Sequence, residues 1–272
     1  MTSSTGNADF LASWDAWRER REASLTNRHG FLAITSINWL TDTPQRLDDA
    51  PGEWHADADG VHVSLGDGEQ LEADGQPITG THHFGVIAEG HDVKVGWGDA
   101  VIEVAMRGGN PIVRPRHPNS AVLAGYRSTP RYAPSTRWVV QGRFVPSAEV
   151  RTVMGGSVVD GLMLEHRSPG VVEFHIDGVE YTLVVFTDSE PDGDDLDLYA
   201  LLTDGTSGIT TYRACRMLDV GVPNGDGSVT LDFNRASNLP CAYTTMATCP
   251  LPPPENRLRL PIEAGEMVPL PR

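Results

Sequence analysis

One short stretch constrains the fold class more than any other part of the chain. Residues 171–186 read VVEFHIDGVEYTLVVF. Val172, Phe174 and Ile176 alternate with polar residues, Asp177-Gly178 interrupts, and Val179, Tyr181, Leu183 and Val185 alternate back. Two period-two runs joined by Asp-Gly predict a β-hairpin closed by a type I′ turn, with one face buried. A lone hairpin is marginal in water, so further strands must cover that face. The sequence supplies them in VHVSL (61–65), HDVKVGW (91–97), AVIEVAM (100–106), NPIVRP (110–115), DLDLYALLTD (195–204), SVTLDFN (228–234) and RLRLPIEAG (257–265). Gly, Asp, Asn and Pro turns separate most of them. No helix-length pattern lies between the strands, which disfavours a parallel α/β sheet.

Helical spacing occurs at the N-terminus. Phe10, Leu11, Trp14 and Trp17 fall on one stripe with Arg and Glu between them, predicting an amphipathic helix from Asn7 or Asp9 to Ser24 that docks on the body of the protein. GFLAITSINWL (30–40) reads as a short apolar helix or strand. The polar, proline-containing RSTPRYAPSTR (127–137) is the best boundary. The expected architecture is mainly β: two packed β-sandwich/barrel-like halves with an N-terminal amphipathic helix. The divisions are 1–29 for the tail and helix, 30–126 for a sandwich-like half and 127–272 for a barrel or sandwich half.

Charge and targeting signals narrow the function. The formal net charge is −16, which works against a phosphate-binding surface and against an anionic membrane. Neither nucleic acid nor membrane is expected as a partner. The first residues lack a signal peptide's basic start and apolar core, no stretch approaches the ~20 apolar residues of a membrane span, and three cysteines do not make a disulfide framework. A cytoplasmic location is the expectation.

Familiar catalytic devices are missing. There is no G-x-S-x-G, and GTSG at 205–208 reads as a polar turn. A P-loop and a G-x-G-x-x-G turn are absent. No C-x-x-C occurs, Cys241 and Cys249 are eight apart, His82 and His83 should point to opposite faces of a strand, and the nine histidines show no H-x-x-x-H order, so no metal site is expected. EPDGDDLD (190–197) reads as a solvated turn rather than a calcium loop. Cys249-Pro250 reads as an X-Pro turn rather than a haem ligand, and no motif supports a flavin. No cofactor is assigned, and the oligomeric state is not legible.

What survives is DFNRASNLPCAYTTMATCPLPPPENRL, residues 232–258. Asp232 and Asn234, two apart at a strand end, share a face. Asn234 and Asn238 flank a turn, and PLPPP is a stiff extended segment that delivers Glu255 and Asn256 to a fixed place. One reading is a polar strap that satisfies orphan backbone groups. The other is a pocket wall: Asp232 or Glu255 as acid or base, Cys241 as nucleophile, and Asn234, Asn238, Asn256, Tyr212 and Arg216 holding a small-molecule ligand.

These residues also carry a resemblance. DFNRASNLPCAYTTMATCPLPPPENRLRLPIEAGE (232–266) resembles the signature of the family called domain of unknown function 1684, D-F-N-x-A-Y-N-P-P-C-A followed by C-P-L-P-P-P-E-N and I-x-A-G-E. TSGITTYRACRML (206–218), WVVQGRFVP (138–146), SPGVVEFHIDG (168–178) and GFLAITSINWL also resemble family positions, so the likeness runs over roughly 10–268. Ser237 and Met246 stand where the family shows aromatic residues, Leu239 stands for a Pro, and Cys215 for a small residue. The resemblance implies a place to look and no activity. Three readings therefore stand: a hydrolase- or lyase-like enzyme using carboxylate chemistry, a non-catalytic β cavity holding a metabolite, and a structural protein in which the motif is a strap.

Overall fold

The protein is described here by a computed structural model covering residues 3–189 and 196–270; most of the acidic 190–197 stretch lies outside the described residues. The chain is mainly β, with antiparallel sheets throughout. It divides into two compact units. One comprises residues 23–126 with 244–247; the other comprises 1–22, 127–243 and 248–272.

In the 23–126 unit GFLAITSINWL is both alternatives in turn: a 3-10 turn at Phe31–Ala33, then strand β1 (Asn38–Trp39). Strands β2 (Gln45–Leu47), β3 (Ala50–Asp57), β4 (Gly60–Ser64), β5 (Leu71–Ala73), β6 (Gln76–Ile78), β7 (Thr81–Gly85), β8 (Asp92–Trp97), β9 (Ala100–Arg107) and β10 (Asn110–Arg116) follow. They form a six-stranded sheet in the order β1-β10-β9-β8-β5-β6 and a four-stranded sheet in the order β2-β3-β4-β7. Trp54, Val61 and Val63 of the smaller sheet share a core with Val95, Ile102, Val104 and Val113 of the larger. Alternation along β4 explains this: Val61 and Val63 turn inward and His62 outward.

A charge sits inside this unit. Glu103 on β9 is 1% exposed and binds Arg114 and Arg116 through charged hydrogen bonds, with Arg107 at 3.3 Å. Burial pushes its carboxyl up, but Arg114 and Arg116 more than offset this and hold it below the usual carboxylate range.

Helix α1 (Ser3–Leu25), of which all but the last three residues belong to the other unit, is longer than the spacing predicts. Phe10, Trp14 and Trp17 are half-buried while Leu11 is exposed. The docking is polar as well as apolar, since the Trp14 indole donates to the Asn234 carbonyl at 3.2 Å. Strands β11 (Val139–Gly156), β12 (Met163–Ile176), β13 (Val179–Val185) and β16 (Ser228–Asp232) make one sheet in the order β13-β12-β11-β16. Strands β14 (Leu198–Leu202), β15 (Arg216–Gly221) and β17 (Ser237–Asn238) make another. Together they curl as a half-barrel around Val172, Phe174, Leu183, Leu202, Leu218 and Leu231.

The β12–β13 hairpin has the predicted register, Ile176 opposite Val179, with Asp177 and Gly178 at φ 51° and 80° as a type I′ turn requires. RLRLPIEAG is not a strand. It makes one isolated bridge, Arg257 to Thr203, and Pro261 has no amide hydrogen to extend a ladder. Among the described residues, no helix is long and apolar enough to cross a membrane.

Glu103 yields a stability prediction. Because its carboxyl is depressed in the folded state, its contribution is fully present above the unfolded value of about 4.3 and is lost as pH falls through the lower folded value. Glu103→Gln should cost about 3–5 kcal/mol near neutrality by leaving buried guanidinium groups short of their counter-charge. In urea titrations the variant should also show a shallower loss of stability in acid than the parent.

Candidate functional site

The C-terminal stretch begins where β16 ends. Asp232 caps the 3-10 turn Phe233–Arg235: its Oδ1 accepts from the Asn234 amide N–H at 3.1 Å and from the Asn234 side chain at 2.8 Å. Its Oδ2 pairs with Arg235 at 3.0 Å. Asn234 is 1% exposed, accepts from the Ser135 N–H at 2.9 Å and donates to the Ser135 carbonyl at 3.0 Å. Every polar atom of that side chain is occupied by the protein itself.

Asn256 does the same work at the other end of PLPPPEN. It is fully buried, accepts from the Val184 N–H at 2.7 Å, and donates to the carbonyls of Val184 and Leu201, both at 2.8 Å. One carboxamide thus clasps β13 and β14. Its neighbour Glu255 is exposed in the first turn of the 3-10 element Pro254–Asn256. Asp232 and Glu255 therefore sit on separate turns with separate surroundings, and they do not form a paired acid and base.

Arg216, expected to grip a ligand, is 1% exposed and spent internally. It binds Asp204 at 2.6 Å and the carbonyl of Ala264. Asp204, missed in the sequence, also accepts from the Thr206 amide at 2.8 Å, the Thr206 hydroxyl at 2.6 Å and the Ile262 amide at 3.2 Å. Asn238 donates its amide N–H to Glu266 at 2.7 Å and its side chain to the Met267 carbonyl at 2.8 Å.

Glu266 is the larger omission. It has no exposure and accepts from Arg21 at 3.0 Å, Arg131 at 3.2 Å and the Tyr243 hydroxyl at 3.3 Å. Burial and the Glu266 charge push Tyr243 up to about 12, so its hydroxyl remains a donor. The signal for Glu266 was the Gly before it. Gly265 has φ +77°, and a Cβ there would lie 2.5 Å from the Ala236 carbonyl oxygen. That close approach lets the Glu266 amide donate to the same carbonyl at 2.8 Å.

Cys241 and Tyr212 differ from the rest. Cys241 is half-buried on the 3-10 turn Pro240–Ala242, and its amide N–H donates to the Cys249 sulfur at 3.2 Å. The Tyr212 hydroxyl donates to the Cys241 carbonyl at 2.8 Å. The Cys249 thiol is the main influence holding the Cys241 thiol below its ordinary value; burial opposes it and the Tyr212 hydroxyl assists. Cys249 is pushed the other way by Cys241 and by burial, and Cys215 is raised mainly by burial. All three cysteines are free.

Two recesses lie away from the motif. A cavity of about 360 Å³ in the 23–126 unit is lined by residues including Leu40, Asp57, Val61, Ile87 and Met106. A shallow one of about 330 Å³ is lined by residues including Arg137, Gln141 and His175. Residues 232–258 line neither.

The comparisons follow the same stretch. The profile of a family described as protein of unknown function (DUF1684) matches residues 124–267, just over half of the 272-residue chain. The chain belongs to the DUF1684 family. That span is narrower than the 10–268 suggested by scattered motifs, and it contains the whole strap. A search of curated proteins finds no match. A solution NMR structure of an uncharacterised protein from Haloarcula marismortui is similar at 24% identity and a TM-score of 0.44, over 53% of this chain and 78% of that one.

The clasp at Asn256 is testable. Asn256→Ala should cost roughly 1–3 kcal/mol for each buried backbone group it orphans. Asn256→Asp should be worse, because a carboxylate oxygen then faces the carbonyls of Val184 and Leu201. Glu255→Gln, on the exposed neighbour, should leave the urea midpoint where it was. Equal midpoints for all three variants would remove the clasp from the account.

Proposed function

We propose that this DUF1684 protein is a small-molecule enzyme working through thiols, a dithiol that exchanges with disulfides, with Cys241 as the attacking sulfur and Cys249 as the resolving one. The observation that carries the reading is the contact of the Cys241 amide with the Cys249 sulfur at 3.2 Å between two free cysteines. The carboxylates expected to do chemistry are otherwise employed, Asp232 as a cap and Glu255 in solvent. A half-buried thiol held below its ordinary value is a better nucleophile at neutral pH.

The step is balanced as follows. The Cys241 thiolate attacks one sulfur of a low-molecular-weight disulfide RSSR; the S–S bond breaks, RS⁻ leaves and takes up a proton, and a mixed disulfide forms on Cys241. Cys249 then loses its proton and attacks the Cys241 sulfur. A second RSH leaves and the Cys241–Cys249 disulfide closes. RSSR is reduced by two electrons and the protein dithiol is oxidised by two. A cytoplasmic thiol pool would return the protein to its dithiol form. Tyr212, through the Cys241 carbonyl and thiol, is a positioning residue.

Reduced protein mixed with oxidised glutathione and quenched in acid should lose two hydrogens by intact mass. Cys249→Ser should instead accumulate one glutathione adduct on Cys241, and Cys241→Ser should do neither. Iodoacetamide labelling of Cys241 should rise with pH through a midpoint below that of an ordinary thiol, and Tyr212→Phe should move the midpoint upward. No adduct in folded Cys249→Ser, with normal reaction after denaturation, would overturn the proposal.

A further inference from the structure

The 23–126 unit carries a second cluster, on a different scaffold. In β3, His55 and Asp57 are two residues apart and so share one face. His62 of β4 pairs directly with His55, and His83 of β7 pairs directly with His62. The three imidazoles stack across three strands: centroids 4.7 Å apart at 8° for His55 and His62, and 4.3 Å apart at 7° for His62 and His83. His62 Nε2 lies 3.0 Å from Asp57 Oδ1. One ligand atom each from His55, Asp57 and His62 all fall within 4.8 Å of one another.

We propose that His55, Asp57 and His62 form a binding site for a first-row divalent transition-metal ion, with zinc the best fit. Two imidazole nitrogens and one carboxylate suit zinc and its neighbours, whereas calcium and magnesium require mostly oxygen ligands. Three protein ligands leave a tetrahedral ion one position for water or a solute. His55 and His62 are half-buried and Asp57 is exposed, so that position faces solvent.

The neighbours are arranged to hold the ligands still. His83 Nε2 is engaged with the Asp59 carbonyl at 2.9 Å, which leaves that ring as a flat support for His62 rather than a fourth ligand through Nε2. Asp57 Oδ1 also accepts from the Asp59 N–H at 2.9 Å, fixing the carboxylate at the β3–β4 turn. His82 faces the other side of β7 and packs edge-on against Phe84, 4.7 Å between centroids, so it takes no part. The site is independent of the thiol pair and stands if that reading fails.

Tag-free, chelator-treated protein titrated with zinc in a calorimeter tests it. One zinc per chain should bind, His62→Ala and Asp57→Asn should each weaken binding by at least about 10-fold, and Cys241→Ser should bind as the parent does. Histidine-selective NMR of the unmodified chain is the second readout: the His55 and His62 ring signals should move on zinc addition while His117 stays in place. Binding that survives both His62→Ala and Asp57→Asn, that is lost in Cys241→Ser, or that leaves the His55 and His62 signals unmoved overturns the site, as does the absence of binding.

Discussion

The Glu266 carboxylate has no contact with solvent, and its charge is tolerable only because donors surround it on every side. Two of these are guanidinium groups, Arg21 from the N-terminal helix and Arg131 from within the 127–137 segment; the others are the Asn238 amide and the Tyr243 hydroxyl. Arg21 also donates to the Asn238 carbonyl at 2.7 Å. Residues 21, 131, 238, 243 and 266 have no local reason to meet. Once one of them is buried, the others are required, because an unpaired charge in that place costs several kcal/mol. A second centre lies two residues upstream, where Arg216 takes the Ala264 carbonyl and Asp204 takes the Ile262 amide. The irregular 262–266 segment is thus pinned between two ion-pair centres and needs no strand ladder to hold it.

That pinning passes to the thiols. Asn238 precedes Cys241 by three residues and Tyr243 follows it by two, and both bond to Glu266. The turn carrying Cys241 is therefore tied at each end to the same buried carboxylate, while the Tyr212 hydroxyl holds its carbonyl from the side. Cys249 is tied separately: its carbonyl accepts from the Val158 amide at 3.0 Å and the Ser157 hydroxyl at 3.1 Å at the end of β11. In the proposed exchange, two sulfurs fixed by independent anchors would keep their separation without spending conformational entropy at the moment of reaction. On that reading the polar strap and the thiol pair are parts of one arrangement, the first being the support of the second.

The hairpin at 171–186 was legible because its information is local: a two-residue turn and a period of two determine the register by themselves. The strap was half legible. Residue types in DFNRASNLP and PLPPPEN marked a polar network, but Asn256 bonds to Val184, 72 positions away, and Asn234 to Ser135, 99 away. No spacing rule reaches that far, so asparagines that clasp backbone looked the same as asparagines that hold a ligand. RLRLPIEAG misled for a related reason. Its alternation satisfied the strand pattern, while Pro261 and the φ +77° of Gly265 belong to a segment whose partners are buried side chains and scattered backbone groups rather than a continuous ladder.

The histidine ladder leaves no mark in local spacing. An H-x-x-x-H pattern places two histidines on one turn of a single segment, whereas here the rings are brought together across a hairpin. His55 and His62 lie opposite each other because the β3–β4 turn has only two residues, Ala58 and Asp59, with Asp57 paired to Gly60. A slip of one residue in that register would turn His62 to the core face and Val61 and Val63 outward, which the burial of both valines forbids. The third ring depends on a single glycine. Gly60 has φ +125°, and a Cβ there would sit 2.0 Å from the Gly85 carbonyl oxygen. Only a residue without a side chain lets β7 come close enough to β4 for His83 to lie flat against His62, so the apolar packing of one face of the sheet sets the geometry of the imidazoles on the other.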